Sequence, residues 1–293
     1  MNLQWQKYPQ NARKLFKLTI PIFISQLSAS GMGLADIVMA GLVSDDDVSA
    51  IAVSNSIYFP LFLFVLGLLN AITPTVSYLN GSNQRHLIAH QVRQGFWLVL
   101  TMSIPLILIF CNSHLILDYM HTPESFSSKS QQYLMIMAIG IVPALLAINL
   151  RCMNDGLSNP KPAMIITFFG LLLNIPLNYI FIFGKFGLPE MGAVGCGVAT
   201  AIVNWVMFLM MLYYAYTNKS QRDIGLFSKL MEMPSGQTLL KICKLGLPIG
   251  FATFTEVMLF STSALFLSPL GAQVVASHQA ALQTSSLFFM IPM

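Results

Sequence analysis

Charged side chains are scarce in this sequence. Only 9% of its 293 residues are Asp, Glu, Lys or Arg, whereas 55% are hydrophobic. Soluble domains carry about 25% charged residues, and the mean hydropathy of this chain is +0.69. The composition therefore excludes an ordinary soluble domain and predicts a protein that lies largely within a membrane.

Cysteine is also rare, and the short motifs of several enzyme classes are missing. The four cysteines lie on or beside different apolar runs and form no CxxC pair. The sequence thus predicts neither a disulfide framework nor a thiolate metal site. It contains no HExxH, GxSxG or paired-acid motif, so we expect a protein that is not an enzyme.

Long apolar runs make up most of the chain. A helix needs about 20 apolar residues to cross a hydrocarbon layer of about 30 Å. The first run is too long, and too closely followed by others, to be a cleavable signal peptide. The sequence therefore predicts an all-α polytopic membrane protein, with an eighth run that begins near residue 274 and continues to Met293. Seven complete runs lie near residues 15–42, 48–79, 94–111, 131–150, 163–183, 193–216 and 245–269.

Basic residues are concentrated on one side of the predicted membrane. Thirteen of the 15 Lys and Arg lie before span 1 or in the loops that follow spans 2, 4 and 6. The positive-inside rule then places the N-terminus in the cytoplasm, opposite to the usual orientation of a seven-span receptor. Because these bases are spread over four membrane-flanking segments, they predict no nucleic-acid footprint.

An internal repeat is suggested by two similar segments. The sequence KLTIPI at 17–22 resembles KLGLPI at 244–249, and each places a proline in the first turns of a span. Two parallel repeats would produce such a match. We therefore predict a six-helix transmembrane lobe over residues 1–216, a cytoplasmic linker over 217–240, and the first two helices of a second lobe over 241–293. On this interpretation the chain is a fragment of a twelve-span protein.

Two of the eleven acids lie inside predicted spans. They are Asp36 in GMGLADIVMAG and Glu256 in FATFTEVMLF. An acid at the centre of a span costs roughly 2.5–3.5 kcal/mol, so it usually faces a cavity or a partner. With no Lys or Arg at depth beside them, each carboxyl is available to a proton or a metal ion, or it ties two helices together as a protonated acid. Asp36 is 15 residues past Pro21, whereas Glu256 is 8 residues past Pro248. Asp36 is therefore expected to lie about 10 Å further from the cytoplasmic end of its span, which predicts two separate sites.

Asparagines on span 5 are the predicted partners of Asp36. In LLLNIPLNYI, Asn174 and Asn178 are four residues apart and share one helix face. Pro176 between them cannot donate to the carbonyl four residues earlier, which frees a backbone oxygen nearby. Amide oxygens beside a carboxylate suit a hard cation or a proton relay, while the alternative is hydrogen bonding between helices. Thr200 on span 6 is a weaker polar candidate.

Three segments carry a resemblance to a known family. They are PIFISQLSASGMGLADIVMAG in span 1, LLLNIPLNYIFIFG in span 5, and KLGLPIGFATFTEVMLFSTSALFLSPLGAQVVASHQAAL in spans 7 and 8. Together they resemble the multidrug and toxic compound extrusion (MATE) family, particularly its NorM-like branch. The resemblance covers essentially the whole chain. It implies a MATE-like fold of twelve spans in two six-helix lobes around a central cavity.

The resemblance also implies roles for individual residues. Pro21 would be the bend point of span 1. Glu256 would belong to the cation site of the second lobe, which in the NorM-like branch is completed by an acid on span 10, outside this chain. Asp36 and Glu256 are the acids expected to bind Na⁺. The coupling network of the first lobe would consist of Asp36, Asn174, Asn178 and Thr200.

The activity implied is that of a multidrug efflux antiporter. It would export cationic, lipophilic drugs by alternating access, in exchange for Na⁺ or H⁺ moving inward, and would use no other cofactor. We expect a multi-pass monomer in the lipid of a bacterial inner membrane. The alternative is a flippase for lipid-linked oligosaccharides, which would line its cavity with several Arg and Lys, and the predicted spans offer almost none at depth.

Overall fold

A computed structural model describes residues 7–228 and 232–289, with side chains for 18–219, 221–228, 232–282, 284 and 285. In these residues the regular structure is helical and contains no strand. Short 3₁₀ turns occupy Arg85–Leu87, Lys219–Ile224 and Ser268–Leu270. The α-helices are α1 (Lys7–Gly41), α2 (Asp45–Asn70), α3 (Ile72–Gly81), α4 (Ile88–Cys111), α5 (His114–Tyr119), α6 (Glu124–Gly156), α7 (Lys161–Ile182), α8 (Ala193–Thr217), α9 (Gly236–Leu267) and α10 (Ala272–Phe289).

Seven of the described helical segments are long and apolar enough to cross a membrane. They coincide with the seven complete apolar runs, which confirms the prediction of an all-α, multi-pass membrane protein. The eighth run corresponds to α10, and its last part, 290–293, lies outside the described residues.

The second predicted span is two helices rather than one. Helix α2 ends at Asn70, and α3 starts at Ile72. Pro74 explains the break, because it has no N–H to donate to the carbonyl of Asn70 and its ring crowds that carbonyl. Hydropathy misses such a break because both pieces are apolar.

Helix α2 lies at the centre of the packing. It contacts α6, α9 and α10, while α1 packs against α7 and α6 against α8. Small residues allow the closest approach, as expected for helices in lipid. A Cβ atom at Gly246 of α9 would lie 2.6 Å from the carbonyl oxygen of Leu68 in α2. A larger residue there would separate the two helices.

The interior is filled by apolar side chains, and large apolar side chains also cover the outside. Phe110 and Phe126 are fully buried, whereas Ile104 and Ile139 are 61% and 64% exposed. Exposed aliphatic residues on long apolar helices are what a lipid-facing surface requires.

The connection between α8 and α9 is shorter than predicted. Helix α8 ends at Thr217, and α9 begins at Gly236, so the last five residues of the predicted 217–240 linker are helical. We call the end of the bundle that carries residues 218–235 the linker end. The division of the chain into two lobes stays a prediction.

Candidate functional site

Asp36 lies in the last two turns of α1, far from the linker end, and its side chain is only 8% exposed. Asn178 Nδ2 donates to Asp36 Oδ1 at 2.6 Å, and Asn174 Nδ2 donates to the same oxygen at 3.2 Å. Thr200 Oγ1 donates to Asp36 Oδ2 at 3.3 Å. The structure therefore brings the four residues predicted for the first lobe together, although their role in coupling stays a prediction.

The helix geometry explains how this cluster forms. Asn174 and Asn178 are one turn apart in α7, so both face α1. Helix α1 approaches α7 closely at Gly31, where a Cβ atom would lie 3.3 Å from Leu171 Cδ2. Thr200 reaches the carboxyl from α8, which packs beside α7. Three helices thus place one acid among neutral polar groups.

The Asp36 carboxyl has no basic partner among the described side chains. Among the ion pairs between described side chains, none includes Asp36. An isolated carboxylate in a buried site is costly unless a proton or a cation neutralises it. The cluster is therefore suited to binding and releasing a small positive species.

Asn178 contributes an unused acceptor to this cluster. Its Nδ2 donates both to Asp36 and, at 3.1 Å, to Asn174 Oδ1. Its own Oδ1 is buried and has no hydrogen-bond partner among the described residues. A buried polar atom without a partner costs about 1–3 kcal/mol, and a bound cation or water would remove that cost.

A cavity of about 450 Å³ opens beside the cluster, with Asp36, Asn174 and Thr200 on its wall. Aromatic and methionine side chains form much of the remaining lining. Tyr58 stacks on Phe62 with ring centroids 5.3 Å apart. The aromatic residues of the lining are Tyr58, Phe59, Phe62 and Tyr133, and its methionines include Met137, Met207 and Met211.

The charged members of this lining, within the described part of the chain, are Asp36 and Arg151. Arg151 Nε lies 3.4 Å from Asp155 Oδ2, one helical turn further along α6. The single base is thus paired with a neighbouring acid. Such a lining lacks the cluster of Arg and Lys that a pyrophosphate-binding cavity would require.

Glu256 and Pro21 lie apart from the Asp36 cluster. Glu256 is in α9 with an exposed side chain, and no contact between it and the cluster is found in the described residues. Pro21 is buried within α1, which runs as one helix from Lys7 to Gly41. The predicted roles of both residues stay predictions.

Sequence reasoning missed two neighbours of Asp36. The thiol of Cys196 lies within hydrogen-bonding reach of the carboxyl, and Tyr133 lies on the same cavity wall. Cys196 precedes Thr200 by one helical turn, so the shared face of α8 was a usable signal. Nothing local marks Tyr133, because α6 is apolar on several faces.

Sequence reasoning also missed a second buried acid. Asp47, at the start of α2, is 1% exposed and accepts from Lys129 Nζ and from the backbone N–H of Ala193, each at 2.9 Å. Ser44 Oγ donates to it at 2.5 Å. Apolar runs alone leave Asp47 outside the spans, although Ser44 and Asp47 have the spacing of a helix capping box.

Comparison with known proteins identifies the family. A family model described as MatE matches residues 21–180. The chain belongs to the MatE family. This confirms the predicted resemblance, and it places the chain in a family of transporters rather than of enzymes.

Individual relatives agree with this assignment. A protein of Haemophilus ducreyi named "Probable multidrug resistance protein NorM" is 85% identical over 293 residues, which are 100% of this chain and 63% of the relative. A solved structure of the MATE transporter NorM-NG, in complex with rhodamine 6G and a monobody, is 29% identical with a TM-score of 0.70, over 95% of this chain and 61% of that one.

A more distant structure supports the fold alone. The MATE multidrug transporter DinF-BH, also solved with the rhodamine dye, has a TM-score of 0.85 at 20% identity, over 95% of this chain and 61% of that one. The MATE-like fold predicted from the sequence is therefore confirmed. The chain spans 62–63% of the length of the first curated relatives it matches.

Proposed function

We propose that the protein exports cationic, lipophilic compounds in exchange for an inward-moving Na⁺ or H⁺. One observation carries the proposal: Asp36 is a buried carboxyl whose described partners are all neutral, on the wall of a cavity. Such a group gains a proton or cation when its surroundings favour one, and it loses that species when they change. A site of this kind can couple an ion gradient to substrate movement.

The cavity supports the proposed substrate class. Pockets that bind small molecules are mostly apolar, with a few polar groups that orient the ligand. Here Phe59 and Phe62, the two aromatic residues of the lining that are not buried, can contact a flat cation through a ring face. Methionines supply an adaptable surface. A lipophilic cation matches this lining, and its positive charge is complementary to Asp36.

The relatives support the same class. The similar protein of H. ducreyi is named as a multidrug resistance protein, and the NorM-NG transporter was solved with the rhodamine dye bound. That ligand belongs to that protein. We extend it to this chain as a probe, because the cavity wall holds aromatic side chains and one acid without a basic partner.

Both coupling ions are compatible with the cluster. The Asp36 carboxylate, the unpartnered Asn178 Oδ1 and the Thr200 hydroxyl are the oxygen donors that a hard cation such as Na⁺ prefers. A proton on Asp36 would neutralise the same charge. In either case the ion weakens binding of a cationic substrate, and linkage requires that the substrate weaken ion binding equally.

We place the protein in a bacterial inner membrane with its linker end in the cytoplasm. The support is the distribution of bases, of which 13 of 15 lie before span 1 or in the loops on that side. In this orientation Asp36 lies towards the outside, where it meets ions that enter down their gradient.

A lipid-linked oligosaccharide flippase is the less favoured alternative. Diphosphate groups are bound by several convergent Arg or Lys side chains. Arg151 is the one base in the described cavity lining, and it is paired with Asp155.

The test is export of the rhodamine dye by membrane vesicles that contain the whole protein, with sodium and pH gradients imposed separately. We expect export to follow one of the two gradients and to fall sharply in Asp36→Asn. Asp118→Asn is the matched control, because Asp118 is exposed outside the candidate spans. Export that is independent of both gradients, or unchanged in Asp36→Asn, would contradict the proposal.

A further inference from the structure

Polar side chains on α4 face the segment that leads into α9. His90, Arg93, Gln94 and Trp97 are spaced at i, i+3, i+4 and i+7, so they lie on one helix face. All four bond residues that follow α8, more than 130 positions away in sequence. We call residues 232–235, which receive most of these bonds, the strap.

Glu232 is the charged anchor of the strap. His90 Nδ1 lies 2.7 Å from Glu232 Oε1, and Arg93 Nε donates to Oε2 at 2.6 Å. The Arg93 side chain is only 11% exposed, so this ion pair is better shielded than a surface pair. The hydrogen bond from His90, together with Arg93, holds the pKa of Glu232 below its ordinary value. The carboxylate is therefore charged at neutral pH.

The strap backbone is also bonded to α4. Trp97 Nε1 donates to the Glu232 carbonyl at 2.8 Å. Gln94, which is fully buried, donates to the Met233 carbonyl at 3.1 Å and accepts from the Ser235 N–H at 2.7 Å. Irregular backbone needs such partners wherever it is shielded from water. Side chains of α4 supply them, which fixes the path of the strap.

The preceding turn is held in the same way. Arg93 Nη1 donates to the carbonyls of Gly225 and Leu226 at 3.2 and 3.1 Å. Arg85 forms a two-pronged pair with Asp223 at 2.6 and 3.2 Å, and this hydrogen bonding lowers the pKa of the Asp223 carboxyl. The described parts of the connection are thus attached at several points to α4 and to the turn before it.

Most of these bonds are made before α9 begins. Gly236 is the first residue of α9, and a Cβ atom there would meet nothing within 4 Å. Within α9, the described side chain that bonds to α4 is Thr238, whose Oγ1 lies 3.0 Å from His90 Nε2. A glycine with open space around it is a point where the backbone can turn at little cost.

We propose that the strap moves as part of the first lobe, and that the pivot between this lobe and α9 is at Ser235–Gly236. The linker is then a short hinge rather than a tether that is loose over its whole length. The strap follows from the bonds described above. The motion about the pivot rests on the alternating-access function proposed above. When α9 turns, its contact with His90 through Thr238 must break and its close packing on α2 at Gly246 must change, while the bonds of Glu232 persist.

Distances between spin labels in the whole protein test both parts. After the accessible native cysteines are replaced, one label is placed at Tyr78 of α3 and the second at Met233 of the strap or Leu259 of α9, all of which are exposed. We expect a narrow Tyr78–Met233 distance distribution in every condition of sodium, pH and rhodamine dye. The Tyr78–Leu259 distribution should be broader or should shift between conditions.

Variants then identify the anchor. Glu232→Ala should broaden the Tyr78–Met233 distribution, whereas Glu190→Ala, at an exposed acid in a distant loop, should leave it narrow. A broad Tyr78–Met233 distribution in the parent protein would contradict the proposal that the strap moves with the first lobe. This outcome does not depend on whether the variants fold. If the Tyr78–Met233 and Tyr78–Leu259 distance distributions have the same width and shift equally between conditions, there is no pivot at Ser235–Gly236. If the strap distance stays narrow while neither gradient drives export, the proposed function fails and the strap stands.

Discussion

Asp36 and Asp47 are both buried carboxyl groups near the same end of the bundle, but their surroundings differ. Asp47 is held by the Lys129 ammonium, the first N–H of α8 and the Ser44 hydroxyl. Asp36 is held by two amides and one hydroxyl, and no base among the described side chains pairs with it. Asp47 also lies at the N-terminus of α8, where the helix dipole favours an anion.

The difference shows which acid is free to change its state. The charge on Asp47 is permanently compensated, so it can lock α2, α6 and α8 together but gains nothing from a mobile ion. No fixed base among the described side chains neutralises Asp36, so its charge is neutralised only while a mobile proton or cation is bound. One acid is suited to structure and the other to coupling.

The largest effect is expected from Asp36→Asn. The amide keeps the shape of the side chain but cannot be ionised. Coupled export should fall by roughly 5- to 150-fold, the range of ordinary coupling free energies. The thermal unfolding midpoint in detergent should change little. If Asp36→Asn instead lost much stability but exported normally per folded molecule, Asp36 would be the structural acid and not the coupling acid.

Asp47→Ala should act on stability instead. It removes the acceptor of the buried N–H of Ala193, which costs about 1–3 kcal/mol when left unsatisfied. Lys129 also loses its partner, but its side chain is 39% exposed and can be hydrated instead. We expect a lower unfolding midpoint and near-normal export by the molecules that remain folded. Asp45→Ala, at an exposed neighbouring acid, is the control and should change neither quantity. Loss of export without loss of stability is the outcome that this interpretation excludes.

Asn178→Ala tests whether neutral partners tune Asp36. It removes the 2.6 Å hydrogen bond to the carboxyl and the unpartnered amide oxygen. If Na⁺ is the coupling ion, its concentration for half-maximal export should rise about tenfold, equivalent to about 1.4 kcal/mol, because a ligand is lost. If H⁺ is the coupling ion, the proton concentration for half-maximal export should fall instead, because the lost hydrogen bond stabilised the ionised carboxyl. Titration of rhodamine export against sodium or pH measures it. An unchanged titration midpoint would show that Asn178 only joins the helices.

Thr200→Val is expected to have the smallest effect. The hydroxyl lies 3.3 Å from Asp36 Oδ2, the longest bond in the cluster, and valine keeps the side-chain shape. The same titration midpoint should shift by less than about threefold, since an ordinary hydrogen bond contributes about 0.5–1.5 kcal/mol. A shift as large as that of Asn178→Ala would make Thr200 a principal ligand of the ion.

Some features of the site could be predicted from local sequence. The pairing of Asn174 and Asn178 on one face follows from helical periodicity, and the isolation of Asp36 from bases follows from the scarcity of Lys and Arg in the spans. Cys196 could have been found by the same periodicity from Thr200. Tyr133 could not, because nothing in its own segment distinguishes it from other apolar positions.

The sequence alone determined the number and approximate limits of the membrane helices, the family resemblance and most residues of the Asp36 cluster, because hydropathy and helical period are local properties. Only the tertiary structure showed that Asp36 meets residues 138 to 164 positions away, that Asp47 is buried, and that the linker is bonded to α4. Those results depend on how helices cross, and crossing is set by close contacts such as that of Gly246 with Leu68. Contacts of this kind join distant segments, and composition and periodicity contain no record of them.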